Sequence, residues 1–126
     1  MSGEHPASFQ RIAIIGLGLL GGSIGLAVRE YIPGARTTGY DLDPRVRQRA
    51  TELHLADEIC ETPAAAVQGA DLVILCVPVG AMGEAAREIA GALPRTALIS
   101  DVGSSKQTIY DALRTALPNN PIVPAH

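Results

Sequence analysis

This 126-residue sequence contains three glycines at a fixed spacing, followed by an acidic residue. Of all its residues, these most directly suggest a binding site. Gly16, Gly18 and Gly21 form a GxGxxG pattern directly after a short apolar run, and Asp41 follows Gly21 by 20 residues. A glycine turn between a strand and a helix presents backbone N–H groups and the positive end of a helix dipole to a phosphate. An acidic side chain at the position of Asp41 accepts hydrogen bonds from a ribose and repels a 2′-phosphate. The pattern therefore predicts binding of a dinucleotide, NAD rather than NADP.

Structural alternatives exist for each of these residues. The glycines could form a turn without binding anything, and Asp41 could cap the end of a strand. Arg45, Arg47 and Arg49 alternate along the next predicted helix and do not share one face, which is typical of a solvated helix surface. Of the three, we expect only Arg45 to lie near enough to Asp41 to contact an adenine or a phosphate.

The stretch Cys76-Val77-Pro78-Val79 ends the clearest apolar run of the sequence. We expect it to lie along the nicotinamide-ribose half of the dinucleotide. Cys76 has the chemistry of a nucleophile, but no basic residue lies near it in sequence. We therefore interpret Cys76, like Cys60, as a small buried apolar residue.

The segment Asp101-Val-Gly-Ser-Ser-Lys106 passes from the end of a strand to the start of a helix. Ser104 and Gln107 have the spacing of a capping box, so the segment could be simply a well-capped helix start. Alternatively, the hydroxyl of Ser104 and the ammonium of Lys106 could be directed at the nicotinamide. Spacing alone leaves both interpretations open.

Short apolar runs alternate with helical periodicities from residue 11 onward. This order predicts a Rossmann-type α/β fold, a doubly wound and mostly parallel sheet of about six strands with helices on both faces. Because ligands of such sheets bind beyond the carboxyl ends of the strands, the residues above should share one edge. We predict strands at residues 11–15, 36–41, 57–60, 71–77, 96–100 and 121–124.

Composition limits the function classes. The sequence is 47% hydrophobic but only 3% aromatic, which suits an aliphatic core between a sheet and its helices. A net charge of −3 gives no reason to expect nucleic acid or a membrane surface as a partner. Two cysteines without metal-ligand spacing indicate neither a disulfide framework nor a metal site, and suit a cytoplasmic protein. Residues 1–10 read as a flexible tail, and residues 11–126 as one dinucleotide-binding domain.

Four motifs together resemble the amino-terminal domain of the prephenate/arogenate (cyclohexadienyl) dehydrogenases of tyrosine biosynthesis. The resemblance covers nearly all of residues 11–126. The motifs are Gly16-Leu-Gly-Leu-Leu-Gly-Gly-Ser-Ile-Gly25, Gly39-Tyr-Asp-Leu-Asp-Pro44, Asp71-Leu-Val-Ile-Leu-Cys-Val-Pro78 and Asp101-Val-Gly-Ser-Ser-Lys106. His126, 20 residues after Lys106, matches the family histidine that opens a conserved segment. Ser105 departs from the family, in which that position is usually apolar.

The resemblance implies oxidative decarboxylation of prephenate or arogenate with hydride transfer to NAD. It implies that His126 is the catalytic base, that Ser104 orients it and that Lys106 lies close to the substrate. Imidazole suits this role because its pKa lies near working pH. The predicted cofactor-binding residues are Gly16, Leu17, Gly18, Leu19, Leu20, Gly21, Asp41, Cys76, Val77, Pro78, Val79 and Gly103.

In this family, a helical carboxyl-terminal domain holds the substrate carboxylates and forms a homodimer. We expect this domain to be absent from the chain, so that the chain by itself binds NAD and turns over substrate weakly or not at all. Two other functions stay open. One is another Rossmann dehydrogenase, of the hydroxyacid dehydrogenase or pyrroline-carboxylate reductase type; the other is a non-catalytic NAD-binding module.

Overall fold

The computed structural model describes residues 9–101 and 122–124. Strands and helices alternate along them, as the sequence predicts. The strands are β1 (Arg11–Ile15), β2 (Arg36–Tyr40), β3 (Glu58–Ile59), β4 (Leu72–Leu75), β5 (Leu98–Asp101) and β6 (Ile122–Pro124). The helices are α1 (Leu19–Tyr31), α2 (Pro44–Glu52), α3 (Pro63–Val67) and α4 (Met82–Ala90), with a 3₁₀ turn at Val79–Ala81 before α4. The helix predicted to begin after Ser104 lies outside the described residues.

The six strands form one parallel sheet in the order β3-β2-β1-β4-β5-β6. Strand β1 lies at the centre, where Ile14 pairs with Gly39 of β2 on one side and with Ile74 of β4 on the other. The chain builds outward from β1 in one direction and then, from β4, in the opposite direction. The strand order therefore reverses between β1 and β4, and the carboxyl ends of these two strands define the ligand-binding edge of such a sheet.

Hydrophobic cores cover both faces of the sheet, which confirms the prediction of helices on both sides. Ala13 and Ile15 of β1 face a core that includes α3 and α4. Ile12 and Ile14 face a second core that includes α1 and α2. Successive residues from Ile12 to Ile15 thus point to opposite faces and are all buried, which is why this part of the strand is a continuous apolar run.

Helix starts agree closely with the sequence. The side chain of Asp43 caps α2 by accepting from the N–H of Arg45, with Pro44 in the first helical position. Thr62 caps α3 by accepting from the N–H of Ala65. No helix within residues 9–101 is long and apolar enough to cross a membrane.

Strand β4 is shorter than predicted and spans only Leu72–Leu75. At its start, the carboxylate of Asp71 accepts from the N–H groups of Gln10 and Arg11, while the Asp71 backbone still bonds to Arg11 and Leu98. At its end, the chain bends into the 3₁₀ turn, where the carbonyl of Pro78 accepts from the N–H of Ala81 over 2.9 Å. After this bend, the chain leaves the sheet and runs along the carboxyl ends of the strands.

Candidate functional site

A cleft of about 540 Å³ lies at the carboxyl ends of β1, β2 and β4, where the strand order reverses. Three chain segments that are distant in sequence form its walls: the glycine turn, the β2–α2 connection and the segment from β4 to α4. The described residues that line it are Ile15, Gly16, Gly18, Tyr40, Asp41, Leu42, Asp43, Val46, Cys76, Val77, Pro78, Ala81, Glu84, Ala85 and Glu88.

Steric contacts explain two of the three glycines. Gly16 has a φ of +100°, and a Cβ at this position would lie 2.7 Å from the carbonyl oxygen of Cys76. A Cβ on Gly21 would collide with the carbonyl oxygen of Gly16. Any larger residue at either position would force the turn, the helix or β4 to move. As the sequence predicts, these glycines allow the tight turn and the close packing behind it.

The third glycine faces open space. A Cβ on Gly18 would meet no atom within 4 Å. Gly18 is the N-cap of α1 but has no side chain that could cap the helix. Its carbonyl accepts from the N–H of Gly22. The N–H groups of the first helical residues, which include Leu19 and Leu20, are the groups that a helix leaves without internal partners. The arrangement can therefore accommodate an anionic group at the positive end of the helix dipole.

Asp41 connects two walls of the cleft. One of its carboxylate oxygens accepts from the N–H of Leu17 over 2.8 Å, and the other accepts from the N–H of Asp43 over 2.9 Å. Asp41 therefore does stabilise the end of β2, as the structural alternative proposed. Each carboxylate oxygen has a further lone pair, so the group can also accept from a ligand hydroxyl. Leu17, with a buried side chain and an engaged N–H, anchors the turn and offers no free donor.

The arginines of α2 are arranged differently from the prediction. Arg45 is 91% exposed and pairs with Asp43 over 3.5 Å, not with Asp41. Arg47, which was expected on a solvated surface, donates through Nη1 to the backbone carbonyl of Asp41 over 2.8 Å. Alternate spacing along a helix does separate these side chains, but the turn before α2 folds back toward Arg47. Hydrogen bonding from the Arg45 N–H, and then from its side chain, lowers the pKa of Asp43.

Acidic side chains from α4 complete the cleft. Glu84 and Glu88 line it together with Asp41 and Asp43, and no lysine or arginine is among the described lining residues. Sequence reasoning missed the two glutamates, although their spacing of four residues places them on one face of α4. Four carboxylates around the cleft disfavour an additional phosphate there, because like charges repel.

Three residues of the stretch after β4 lie in the cleft. Cys76, Val77 and Pro78 line it, and Val79 begins the 3₁₀ turn. Cys76 is only partly buried and packs against the α1–α2 core, whereas Cys60 is buried. Burial, and then the charge of Glu58, raises the pKa of the Cys60 thiol.

Gly103, Ser104, Lys106 and His126 lie outside the described residues, so their predicted roles stay predictions. Within the part of the chain that the structure describes, no group of three or more His, Cys, Asp or Glu side chains is arranged to hold a metal ion.

The sheet order, the glycine turn and the uncapped start of α1 beside Asp41 define a Rossmann-type nucleotide-binding domain. Residues 24–126 match the family model described as the nucleotide-binding domain of prephenate dehydrogenase. The chain therefore belongs to the prephenate dehydrogenase family, as the motifs of the sequence implied.

Similar proteins agree with this assignment. The chain is 46% identical to the cyclohexadienyl dehydrogenase of Zymomonas mobilis over 118 residues, which are 94% of this chain and 40% of that protein. It is 35% identical to the prephenate dehydrogenase of Bacillus subtilis over 109 residues, 86% of this chain and 29% of that protein. Prephenate dehydrogenase from A. aeolicus, crystallised with hydroxyphenyl propionate and NAD⁺, is structurally similar with a TM-score of 0.85 and 27% identity, over 97% of this chain and 43% of that one. The chain thus spans at most about two fifths of these relatives.

Proposed function

We propose that this chain is the NAD-binding domain of an enzyme that oxidatively decarboxylates prephenate, arogenate or both. The observation that carries the proposal is the cleft itself, in which the open start of α1 and the carboxylate of Asp41 lie on adjoining walls. These groups complement the two polar parts of a dinucleotide, its pyrophosphate and its adenosine ribose.

The described residues fit NAD in three places. The space beside Gly18 and the N–H groups at the start of α1 would receive the pyrophosphate. Asp41 would accept from the ribose hydroxyls. Leu42 and Val46, which line the same wall, would contact the adenine. The four carboxylates that line the cleft favour a coenzyme with a free 2′-hydroxyl over one with a 2′-phosphate.

When bound, NAD⁺ supplies the acceptor for a hydride. The remaining steps belong to side chains that the family resemblance assigns. His126 would take the proton of the substrate ring hydroxyl while the hydride leaves the carbon that bears it. The ring carboxylate leaves as CO₂, and the electron pair of the broken bond makes the ring aromatic. Ser104 would orient the imidazole of His126, and Lys106 would lie beside the substrate.

The rest of the active site would come from chain beyond this domain. By the same resemblance, a helical domain binds the substrate carboxylates and forms a homodimer. The two unpaired cysteines suit an enzyme that acts in the cytoplasm. The chain alone would then bind NAD with little or no turnover.

Two measurements test the proposal on the protein that carries this chain. Calorimetric titration should detect NAD⁺ binding, and tighter binding of NADP⁺ than of NAD⁺ would contradict the role given to Asp41. Steady-state assays with prephenate and with arogenate should show NADH formation that His126→Asn reduces by about 10²-fold or more while NAD⁺ still binds. Unchanged turnover in His126→Asn would refute the catalytic assignment, and NAD⁺ binding without turnover of either substrate by the unaltered protein would indicate a sensor module.

A further inference from the structure

Arg47 makes an unusual set of contacts for a residue on the outer side of a helix. Its Nη1 donates to the backbone carbonyls of Asp41 over 2.8 Å and of Leu42 over 3.3 Å. Its guanidinium lies over the ring of Tyr40, 5.6 Å from the ring centroid. One side chain thus contacts three consecutive residues at the end of β2. Its N–H groups donate to two carbonyls, and its positive charge lies over an aromatic ring.

These three residues are the ones that place the Asp41 carboxylate. The carbonyl of Tyr40 accepts from the N–H of Gly16 over 2.7 Å, which ties the end of β2 to the glycine turn. The Asp41 carboxylate accepts from Leu17 and from Asp43. Arg47 binds the carbonyls of the next two residues, Asp41 and Leu42. The backbone around Asp41 is therefore fixed from both sides.

We propose that Arg47 is a positioning residue for coenzyme binding, which acts by holding the Asp41 backbone so that its carboxylate points at the ribose of the dinucleotide. This inference rests on the proposed NAD-binding function. A carboxylate that is already oriented by the protein loses less freedom when the ligand arrives, and preorganisation of this kind raises affinity without a new contact to the ligand.

A comparison with the neighbouring arginines of α2 shows that the contacts of Arg47 do not follow from its charge alone. Arg45 is almost fully exposed, and its contacts are with the side chain of Asp43. Arg49 is exposed one helical turn further from the cap. All three side chains bring the same charge to α2, so the carbonyl and ring contacts of Arg47 distinguish it. Arg49 lines a groove with Leu17 and Gly18. The control is therefore Arg29→Ala, which removes an exposed arginine from the last turn of α1.

The test is a double-mutant cycle in the full protein, with NAD⁺ affinity measured by titration and stability by thermal unfolding. Arg47→Ala should weaken NAD⁺ binding about 10-fold, a change that corresponds to about 1.4 kcal/mol. Arg47→Lys, which keeps the charge but not the planar fork, should lie between Arg47→Ala and the unaltered protein, and it serves as the folded variant if Arg47→Ala is unstable. Arg29→Ala, the control at the far end of α1, should leave the affinity within about 2-fold, the level of measurement scatter for sites that do not interact.

The cycle with Asp41 separates positioning from simple stabilisation. If Arg47 acts through Asp41, the loss caused by Arg47→Ala or Arg47→Lys should largely disappear in an Asp41→Asn background, while its effect on the melting temperature stays. If the Arg47 variants lose the same affinity with and without Asp41→Asn, the inference is wrong. It is also wrong if they lower the melting temperature without changing the affinity. Either result leaves the proposed function standing. If the unaltered protein binds no NAD⁺, the proposed function fails and the inference fails with it.

Discussion

The carboxylate of Asp41 accepts a hydrogen bond from the backbone N–H of Leu17 over 2.8 Å. This bond joins the end of β2 to the glycine turn, two segments separated by 24 residues. The second carboxylate oxygen binds the N–H of Asp43 and so holds the start of the connection to α2. One side chain therefore shapes the cleft and also presents its remaining acceptor capacity to a ligand.

Asp41→Asn should weaken NAD⁺ binding about 10-fold and reduce the preference for NAD⁺ over NADP⁺, because the amide keeps one acceptor and loses the charge. It should also lower stability, since one of two N–H groups loses its partner at a cost of about 1–3 kcal/mol. Titration with each coenzyme and thermal unfolding measure the two effects.

Asp71→Asn is the matched control for Asp41. Its carboxylate also accepts from two backbone N–H groups, those of Gln10 and Arg11, but at the amino end of the sheet. We expect a similar loss of stability with unchanged coenzyme affinity. Equal losses of affinity in the two variants would show that Asp41 acts only on the fold.

Alanine substitutions should separate the roles of the glycines. Gly21→Ala should destabilise the protein by about 1–3 kcal/mol, because its Cβ collides with the Gly16 carbonyl. Gly18→Ala should fold normally and weaken NAD⁺ binding, since its Cβ enters the space where the pyrophosphate is proposed. Gly34→Ala, also in open space but remote from the cleft, should change neither melting temperature nor affinity. Normal NAD⁺ affinity in Gly18→Ala would place the pyrophosphate elsewhere.

The alkylation rates of the two cysteines should show whether NAD⁺ occupies the cleft. Cys76 lines the cleft, whereas Cys60 is buried and has a raised pKa, so little reactive thiolate forms there near neutral pH. With iodoacetamide, Cys76 should react faster than Cys60, and NAD⁺ should slow the reaction of Cys76 alone. Mass spectrometry of the labelled peptides measures both rates. Labelling of Cys76 that is indifferent to saturating NAD⁺ would argue against the proposed binding mode.

Asp43 should make part of the stability depend on pH. The N–H and side chain of Arg45 lower the pKa of this carboxyl below its ordinary value of 3.8. A lowered pKa in the folded state stabilises the protein above pH 3.8, and this contribution is lost as the pH falls through the lowered pKa. Asp43→Asn keeps a capping oxygen but no charge. The difference in melting temperature between the two proteins should therefore shrink at acid pH, and a constant difference would contradict the prediction.

Local chemistry made much of the fold predictable. The starts of α2 and α3 can be read from the sequence, because a capping side chain followed by proline acts within a few residues. The strand β1 was placed correctly because a strand buried on both faces has a continuous apolar run. Strand β4 was predicted too long, chiefly because its carboxyl end depends on the 3₁₀ turn that follows.

Two features of the cleft could not be read from spacing. The sequence pointed to Arg45 as the arginine nearest Asp41, but the path of the β2–α2 turn brings the Asp41 carbonyl to Arg47. Glu84 and Glu88 line the same cleft as Tyr40 and Asp41, and this proximity arises from the sheet order rather than from any nearby motif.

The sequence by itself determined the alternation of strands and helices, the glycine positions and the family, since each follows from residues close together in the chain. Only the tertiary structure decided which side chains hold Asp41 and which charges line the cleft. Those contacts join segments that are far apart in sequence, and their geometry is set by side-chain direction after the sheet has assembled.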